Sequence, residues 1–159
     1  GNVYHLQGNL ANAIEFFEKA VRFYDKNWYA KLSLGSLILE AQPSTAKKLF
    51  QQALGGEPAH KILAYAGLAI VSILSGETAN VQVETKSSRK LLLIAQEKHT
   101  VPQSQIEAFL ILLGALDGGN SAKTIIKTIE VDLILSEERD LVEVALGFLE
   151  ILESLKPKK

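Results

Sequence analysis

A segment of the chain recurs after 33 or 34 residues, and this period restricts the fold more than any other feature of the sequence. Small and aromatic residues appear in the same order over positions 1–25 and 35–58: Gly1 with Gly35, Ala13 with Ala46, Phe17 with Phe50, Ala20 with Ala53, and Asp25 with Pro58. A repeat of this length is one supersecondary unit, which cannot bury its apolar face alone and must stack on its neighbours. We therefore expect a single domain built from stacked units.

The spacing inside each copy is that of one helix face. Ala13, Phe17 and Ala20 occupy positions i, i+4 and i+7, which lie on one side of a helix with 3.6 residues per turn. Alanine lets a neighbouring helix approach closely, and phenylalanine fills the space beside it. The spacing predicts helix packing and not chemistry.

The period and the order Leu34-Gly35, Ala46, Phe50, Ala53 and Pro58 resemble the tetratricopeptide repeat family. The resemblance is good over residues 1–58 and decays beyond them. It implies an all-α fold, an α-solenoid of antiparallel helix pairs stacked into a right-handed superhelix. In this scheme a single domain over 1–155 comprises repeats near 1–25, 27–58, 59–100 and 102–134, a capping helix over 136–155, and a basic tail over 156–159.

Periodicity along the chain predicts the individual helices. We expect them near 2–7, 10–25, 27–41, 43–55, 59–75, 86–99, 102–117, 120–134 and 136–155. A bend at Gly8-Asn9 should separate the first two. The interval from Gly67 to Ser88 is longer than the matching interval in the first copy. Residues are therefore inserted around 76–86, as a loop or as extra helical turns.

The last predicted helix begins with a serine suited to capping and with acidic residues in its first turn. Its apolar residues form one stripe: Leu141, Val144, Phe148, Leu149, Leu152 and Leu155. A helix with one apolar stripe and a polar outer face is suited to shielding the final repeat from water.

Composition excludes several classes of function. The net charge is −1 and the basic residues are spread along the chain, which disfavours binding to nucleic acid. The most apolar stretch, 62–74, is shorter than the roughly 20 residues that cross a bilayer, and so it predicts a buried helix and no membrane insertion. No secretory signal is visible, which favours a cytoplasmic location. The chain has no Met, even at position 1, which suggests that it is cut from a longer protein.

The sequence offers no catalytic or metal-binding motif. His5, His60 and His99 are far apart, and the chain has no cysteine. Nucleophile-elbow and phosphate-loop motifs are also missing. We therefore expect a protein that is not an enzyme and needs no metal or cofactor.

The densest basic cluster is Lys86-Ser87-Ser88-Arg89-Lys90. We interpret it as the exposed first turns of a helix. An acidic-peptide site or a phosphorylation site is the alternative.

The resemblance implies that a partner binds in a concave groove lined by the first helix of each pair. By register, the groove residues are Asn2, His5, Tyr29, Leu32, Ser36, Leu39, Lys61 and Leu68. The aliphatic members could instead pack inside the solenoid.

In one subfamily of these repeats, asparagines and basic residues clamp the terminal carboxylate of chaperone tails, and by this register the chain carries only half of that clamp. Asn2 and Lys61 match it, but Ser33 and Tyr65 do not.

The predicted function is a protein-interaction scaffold that binds a peptide or helix of a partner protein. The alternatives are a structural subunit whose groove is permanently occupied and, third, an RNA-binding helical repeat.

Overall fold

The structure is a computed structural model that describes residues 7–24, 26–116 and 136–154. Within these ranges the chain forms seven α-helices and no β-strand. The helices are α1 (Gln7–Phe23), α2 (Trp28–Ile38), α3 (Pro43–Ala53), α4 (Pro58–Ser75), α5 (Thr78–Lys98), α6 (Gln103–Leu116) and α7 (Ser136–Ser154). The predicted all-α fold class is therefore confirmed for the described residues.

Three predicted elements lie wholly or mostly outside the described residues. These are the helix over 120–134, the basic tail over 156–159 and nearly all of the helix remnant over 2–7.

Local signals in the sequence set several helix ends. Asn27 precedes α2, and its Oδ1 accepts a hydrogen bond from the Ala30 backbone N–H at 3.0 Å. Pro43 and Pro58 occupy the first positions of α3 and α4, where a missing N–H costs no intrahelical bond. Gly76 ends α4 with φ of 76°, a left-handed conformation that glycine adopts without steric cost.

Two local expectations are resolved by the described helices. The bend predicted at Gly8-Asn9 is wrong, because α1 runs through both residues without interruption. One glycine lowers helix propensity by about 1 kcal/mol, which does not by itself end a helix. The insertion around 76–86 takes the form of extra helical turns, since α5 begins at Thr78 directly after the Gly76 turn.

Helices α2, α4 and α6 contact one another in succession, and we call these three helices the middle row. Each helix from α1 to α6 contacts the next, and α2 also contacts α4, which in turn contacts α6. Helix α7 packs against α2, α4 and α6, whereas α1, α3 and α5 make no comparable backbone contact with it. Each helix of the middle row therefore contacts at least three neighbouring helices. This explains why these three helices are apolar around most of their circumference.

Helix α4 has the length and composition of a membrane-crossing helix, alone among the described helices. In this fold it contacts five neighbouring helices, α2, α3, α5, α6 and α7, and most of its residues are buried. A central core helix in a folded domain has the same composition, because all of its faces are covered by protein.

Candidate protein-binding face

The structure brings the described members of the predicted groove onto two adjacent helices. Tyr29, Leu32 and Ser36 lie on α2, with Leu39 just after its end, while Lys61 and Leu68 lie on α4. Asn2 and His5 lie outside the described residues. We call the combined surface of α2, α4 and α6 the middle-row face.

The aliphatic members of this set are buried inside the chain. Leu32 and Leu39 are fully buried, and Leu68 is nearly so. Tyr29, Ser36 and Lys61 are half-buried. The Tyr29 ring packs edge-on against Phe17 of α1, with ring centroids 5.8 Å apart. Tyr29 therefore contributes to the packing of α2 against α1.

Helix α7 covers the middle-row face. Its inward residues form a wide apolar stripe, two adjacent positions in nearly every turn: Leu141, Val142, Val144, Ala145, Phe148, Leu149, Ile151 and Leu152. All eight are buried. Removing a side chain of this size from water stabilises the docked helix by about 1.5 to 3 kcal/mol, less for alanine. An amphipathic helix of the same chain, with these residues buried, thus packs on the helices of this face.

Helix α7 approaches α2 closely at one glycine. A Cβ atom on Gly147 would lie 2.9 Å from Oγ of Ser36, a residue of the predicted groove. Ordinary contacts between such atoms are longer, at about 3.5 Å or more. Glycine at position 147 therefore leaves room for the Ser36 hydroxyl, which would have to turn aside for a larger residue.

Phe50 of α3 connects α2, α4 and α7. Its ring projects from α3 and lies between Gly35 on α2 and Gly67 on α4, where Cβ atoms would come within 2.5 Å and 2.8 Å of ring carbons. Beyond that gap the ring meets Phe148 of α7 in an edge-to-face contact, with centroids 5.5 Å apart. The prediction that this phenylalanine fills the space left by small residues is confirmed.

Lys31 is a buried cation on α2 that sequence reasoning missed. It is 2% exposed, and its Nζ lies 5.1 Å from the centroid of the Trp28 ring. The Trp28 ring also lies under the turn between α3 and α4, since a Cβ on Gly56 would meet its Cδ1 at 2.7 Å. A lysine three residues after a tryptophan in a helix is a signal for such a contact, because the two side chains lie on one face and the ring attracts the ammonium group.

A small polar cluster lies where α4 packs on α5. Ser72 Oγ donates a hydrogen bond of 3.0 Å to Oε1 of Glu84, whose Oε2 is buried without a hydrogen-bond partner. Burial raises the pKa of Glu84, against the opposing effects of the Ser72 hydrogen bond and Lys47. One carboxyl group and one hydroxyl do not form a catalytic pair. Across the described ranges, no three His, Cys, Asp or Glu side chains are grouped closely enough to hold a metal ion.

His60 has a structural position at the start of α4. Its Nδ1 accepts a hydrogen bond of 3.0 Å from the backbone N–H of Glu57, as in a capping box. Burial lowers the pKa of His60, partly offset by the nearby Glu57 carboxylate. The neutral ring is the form that can accept this bond.

The basic cluster at 86–90 lies in the middle of α5 and not in its first turns, because the helix begins at Thr78. Lys86 and Lys90 are exposed. Ser88 is fully buried and donates a hydrogen bond of 2.8 Å to the Ile62 carbonyl of α4. Ser88 therefore joins α5 to α4 and is not accessible for phosphorylation in this fold.

Comparisons of the chain with protein-family models, with curated proteins and with solved structures found no match.

Proposed function

We propose that this protein is a non-enzymatic scaffold for protein–protein interaction, and that it binds a helical segment of a partner on the middle-row face. The observation that carries the proposal is that an amphipathic helix, α7, already packs on α2, α4 and α6 with its apolar residues buried. Helix-in-groove recognition uses the same elements, an apolar face on the ligand and a row of apolar residues on the receptor.

The proposed architecture is an α-solenoid of tetratricopeptide type. The contacts of α2 with α3 and of α4 with α5 are consistent with helix pairs, and the row of α2, α4 and α6 would be the concave side. Helices that pack on one another keep the groove residues at fixed separations. Little conformational entropy is then lost on the receptor side when a ligand docks.

A structural subunit is the second candidate function. The burial of Leu32, Leu39 and Leu68 favours it, because residues already covered in the free chain are not open to a transient partner. In this alternative the middle-row face would stay closed, and partners would bind elsewhere on the protein.

The two functions are distinguished by affinity capture from the source cell with a matched pair of variants. Tyr29→Ala with Lys61→Glu alters two half-buried residues of the face. Tyr24→Ala with Lys90→Glu makes the same substitutions at exposed positions away from it. Circular dichroism confirms that both variants fold.

Loss of the same partners from the first variant alone supports binding on the middle-row face. Retention of every partner by both variants contradicts it and favours the structural subunit. A salt-dependent gel shift with single-stranded RNA would instead support an RNA-binding helical repeat.

A further inference from the structure

Helix α5 exposes a line of apolar and basic residues along one side. Val83 and Leu93 are 63% and 58% exposed, and Lys86 and Lys90, which lie between them, are exposed as well. These four residues stand at i, i+3, i+7 and i+10, the spacing of one helix face. Ile94 is 41% exposed beside Leu93 and widens that end. We call these five residues the outer stripe of α5.

The buried side of α5 is partly polar, although the outer stripe is partly apolar. Four described side chains of α5 are buried, and two of them, Thr85 and Ser88, carry hydroxyl groups. The Thr85 hydroxyl has no hydrogen-bond partner. Burying hydroxyls while exposing three aliphatic residues on the same helix runs against the solvation preference of both groups. Such departures concentrate at surfaces that have a function.

Charge is divided unevenly among the helices. Helix α3 has two lysines and no acidic residue, and α5 has four basic and two acidic residues, so together they carry +4 in a chain whose net charge is −1. Helix α7 has six acidic residues and one basic residue, and it makes no backbone contact with α3 or α5. The basic helices therefore lie apart from the most acidic one.

The acidic residues of α5 leave the outer stripe cationic. Glu84 follows Val83 in the sequence, but its Oε1 accepts a hydrogen bond of 3.0 Å from Ser72 of α4 and its Oε2 is buried. Glu97 lies one turn beyond Leu93, outside the stripe. Between the two apolar ends, the exposed charges of α5 are thus the ammonium groups of Lys86 and Lys90.

We infer that the outer stripe of α5 binds an acidic amphipathic helix of a partner protein, with acidic residues opposite Lys86 and Lys90 and an apolar residue at each end. Opposite charges speed the encounter and fix the register, and contact with Val83, Leu93 and Ile94 removes apolar surface from water. The inference goes beyond the proposed function, because α5 does not belong to the middle-row face. Either one can fail without the other.

The order of residues along the stripe favours a protein partner over a lipid surface. A helix that lies on a membrane collects its apolar residues on one face and its cations on the opposite, polar face. In α5 the lysines occupy the centre of the stripe and the apolar residues its ends. A bilayer that receives Val83 and Leu93 would press its apolar interior against the lysines between them, whereas a helix with acidic residues at its centre would pair with them.

The first experiment uses a designed probe. It is a labelled, alanine-rich helical peptide that carries leucine, glutamate, glutamate and leucine at i, i+3, i+7 and i+10. This pattern reads the same in both directions, so the peptide matches the stripe in either orientation. A second peptide of the same composition has its glutamates on the opposite side of the helix. We expect the full chain to bind the first peptide about tenfold or more tightly in fluorescence anisotropy. Equal binding of the two peptides would overturn the inference.

A charge exchange then locates the contact. Lys86→Glu with Lys90→Glu alters exposed residues only, and circular dichroism checks that the variant folds. This variant should bind the probe about tenfold or more weakly, and it should bind a probe with lysines in place of the glutamates more tightly than the unmodified chain does. If the exchange changes neither affinity, the acidic peptide does not bind on the outer stripe.

Matched controls separate the stripe from general attraction. Lys26→Glu with Lys48→Glu makes the same change in net charge at exposed positions of other segments, and should weaken probe binding by less than about threefold. Leu93→Ala should weaken binding, whereas Leu110→Ala, at an exposed position of α6, should not. A control pair as damaging as the stripe pair would contradict the inference.

Vesicles of phosphatidylserine and phosphatidylcholine test the lipid alternative. We expect Lys86→Glu with Lys90→Glu to leave any cosedimentation with these vesicles unchanged. Cosedimentation that is lost in this variant, together with no preference between the two peptides, would assign the stripe to a membrane surface and overturn the inference.

Discussion

The Phe50 gap gives the sharpest test of how this fold is packed. Gly35→Ala places a Cβ 2.5 Å from Cε1 and 2.9 Å from Cζ of the Phe50 ring, where carbon atoms normally lie about 3.5 to 4.0 Å apart. The ring has little room to retreat, since Gly67 lies against its other edge and Phe148 packs edge-to-face against it. The substitution therefore forces a shift of about 1 Å in a fully buried side chain.

Two opposing contributions to the free energy of unfolding set the size of the effect of Gly35→Ala. Overpacking a core costs about 1 to 3 kcal/mol, and a contact this short falls in the upper part of that range. Replacing glycine by alanine inside a helix returns about 0.5 to 1 kcal/mol. We expect Gly35→Ala to lower the free energy of unfolding by about 1 to 2 kcal/mol. For a chain of this size that corresponds to a melting temperature lower by several degrees.

A matched control isolates the steric term. Gly114 lies in α6, and a Cβ there meets no atom within 4 Å. Gly114→Ala should therefore raise stability by about 0.5 to 1 kcal/mol through helix propensity alone. Urea unfolding followed by circular dichroism and by Trp28 fluorescence measures both variants, since Trp28 contacts the turn between α3 and α4.

A double-mutant cycle then assigns the cost to the ring. In a Phe50→Leu background the flat ring is gone, and Gly35→Ala should no longer destabilise the protein. If Gly35→Ala stabilises the unmodified chain as much as Gly114→Ala does, the reasoning about the gap is refuted.

Three further predictions each concern a single residue. Ala53→Glu places a charge at a fully buried helix contact and should lower stability by about 3 to 5 kcal/mol; an unchanged melting temperature would show that this contact is not tightly packed. Burial lowers the pKa of His60 below 6.5, so the unfolded chain binds the proton more readily and stability should decline as pH falls below 6.5. His60→Gln keeps a side chain that can accept from the Glu57 N–H, and its urea midpoint should fall less at pH 5.5 than that of the unmodified chain. Burial raises the pKa of Glu84 above 4.5, so its contribution to stability is lost as pH rises through that raised pKa. Glu84→Gln still accepts from Ser72, and the stability of this variant relative to the unmodified chain should be higher at pH 7 than at pH 4. A stability difference between the two chains that does not change with pH would contradict the assignment.

The position of α7 changes how the predicted groove is understood. The helices that carry the predicted groove residues, α2 and α4, both contact α7, and Leu32 and Leu68 are already buried within the chain. One signal for this was present in the sequence. The apolar stripe of α7 is two residues wide in nearly every turn, which is more than a helix needs to shield the end of one repeat.

The sequence by itself determined the helical class and much of the local packing. Alanine and phenylalanine at helical spacing predicted that Ala46, Phe50 and Ala53 would be buried together, and all three are. Proline at the first helical position marked the starts of α3 and α4. These features could be read directly because each depends on residues within a few turns of one another.

Only the tertiary structure decided which helices pack against each apolar helix face. The hydrophobic effect is non-directional, so periodicity reveals that α7 has an apolar face but not that it seats on α2, α4 and α6. Complementarity of shape selects the partner, and it depends on pairs distant in sequence, such as Ser36 with Gly147 and Phe50 with Phe148. Whether the region around 76–86 became a loop or more helix was likewise settled by the packing of α5 against α4, an interaction that no local pattern in that segment records.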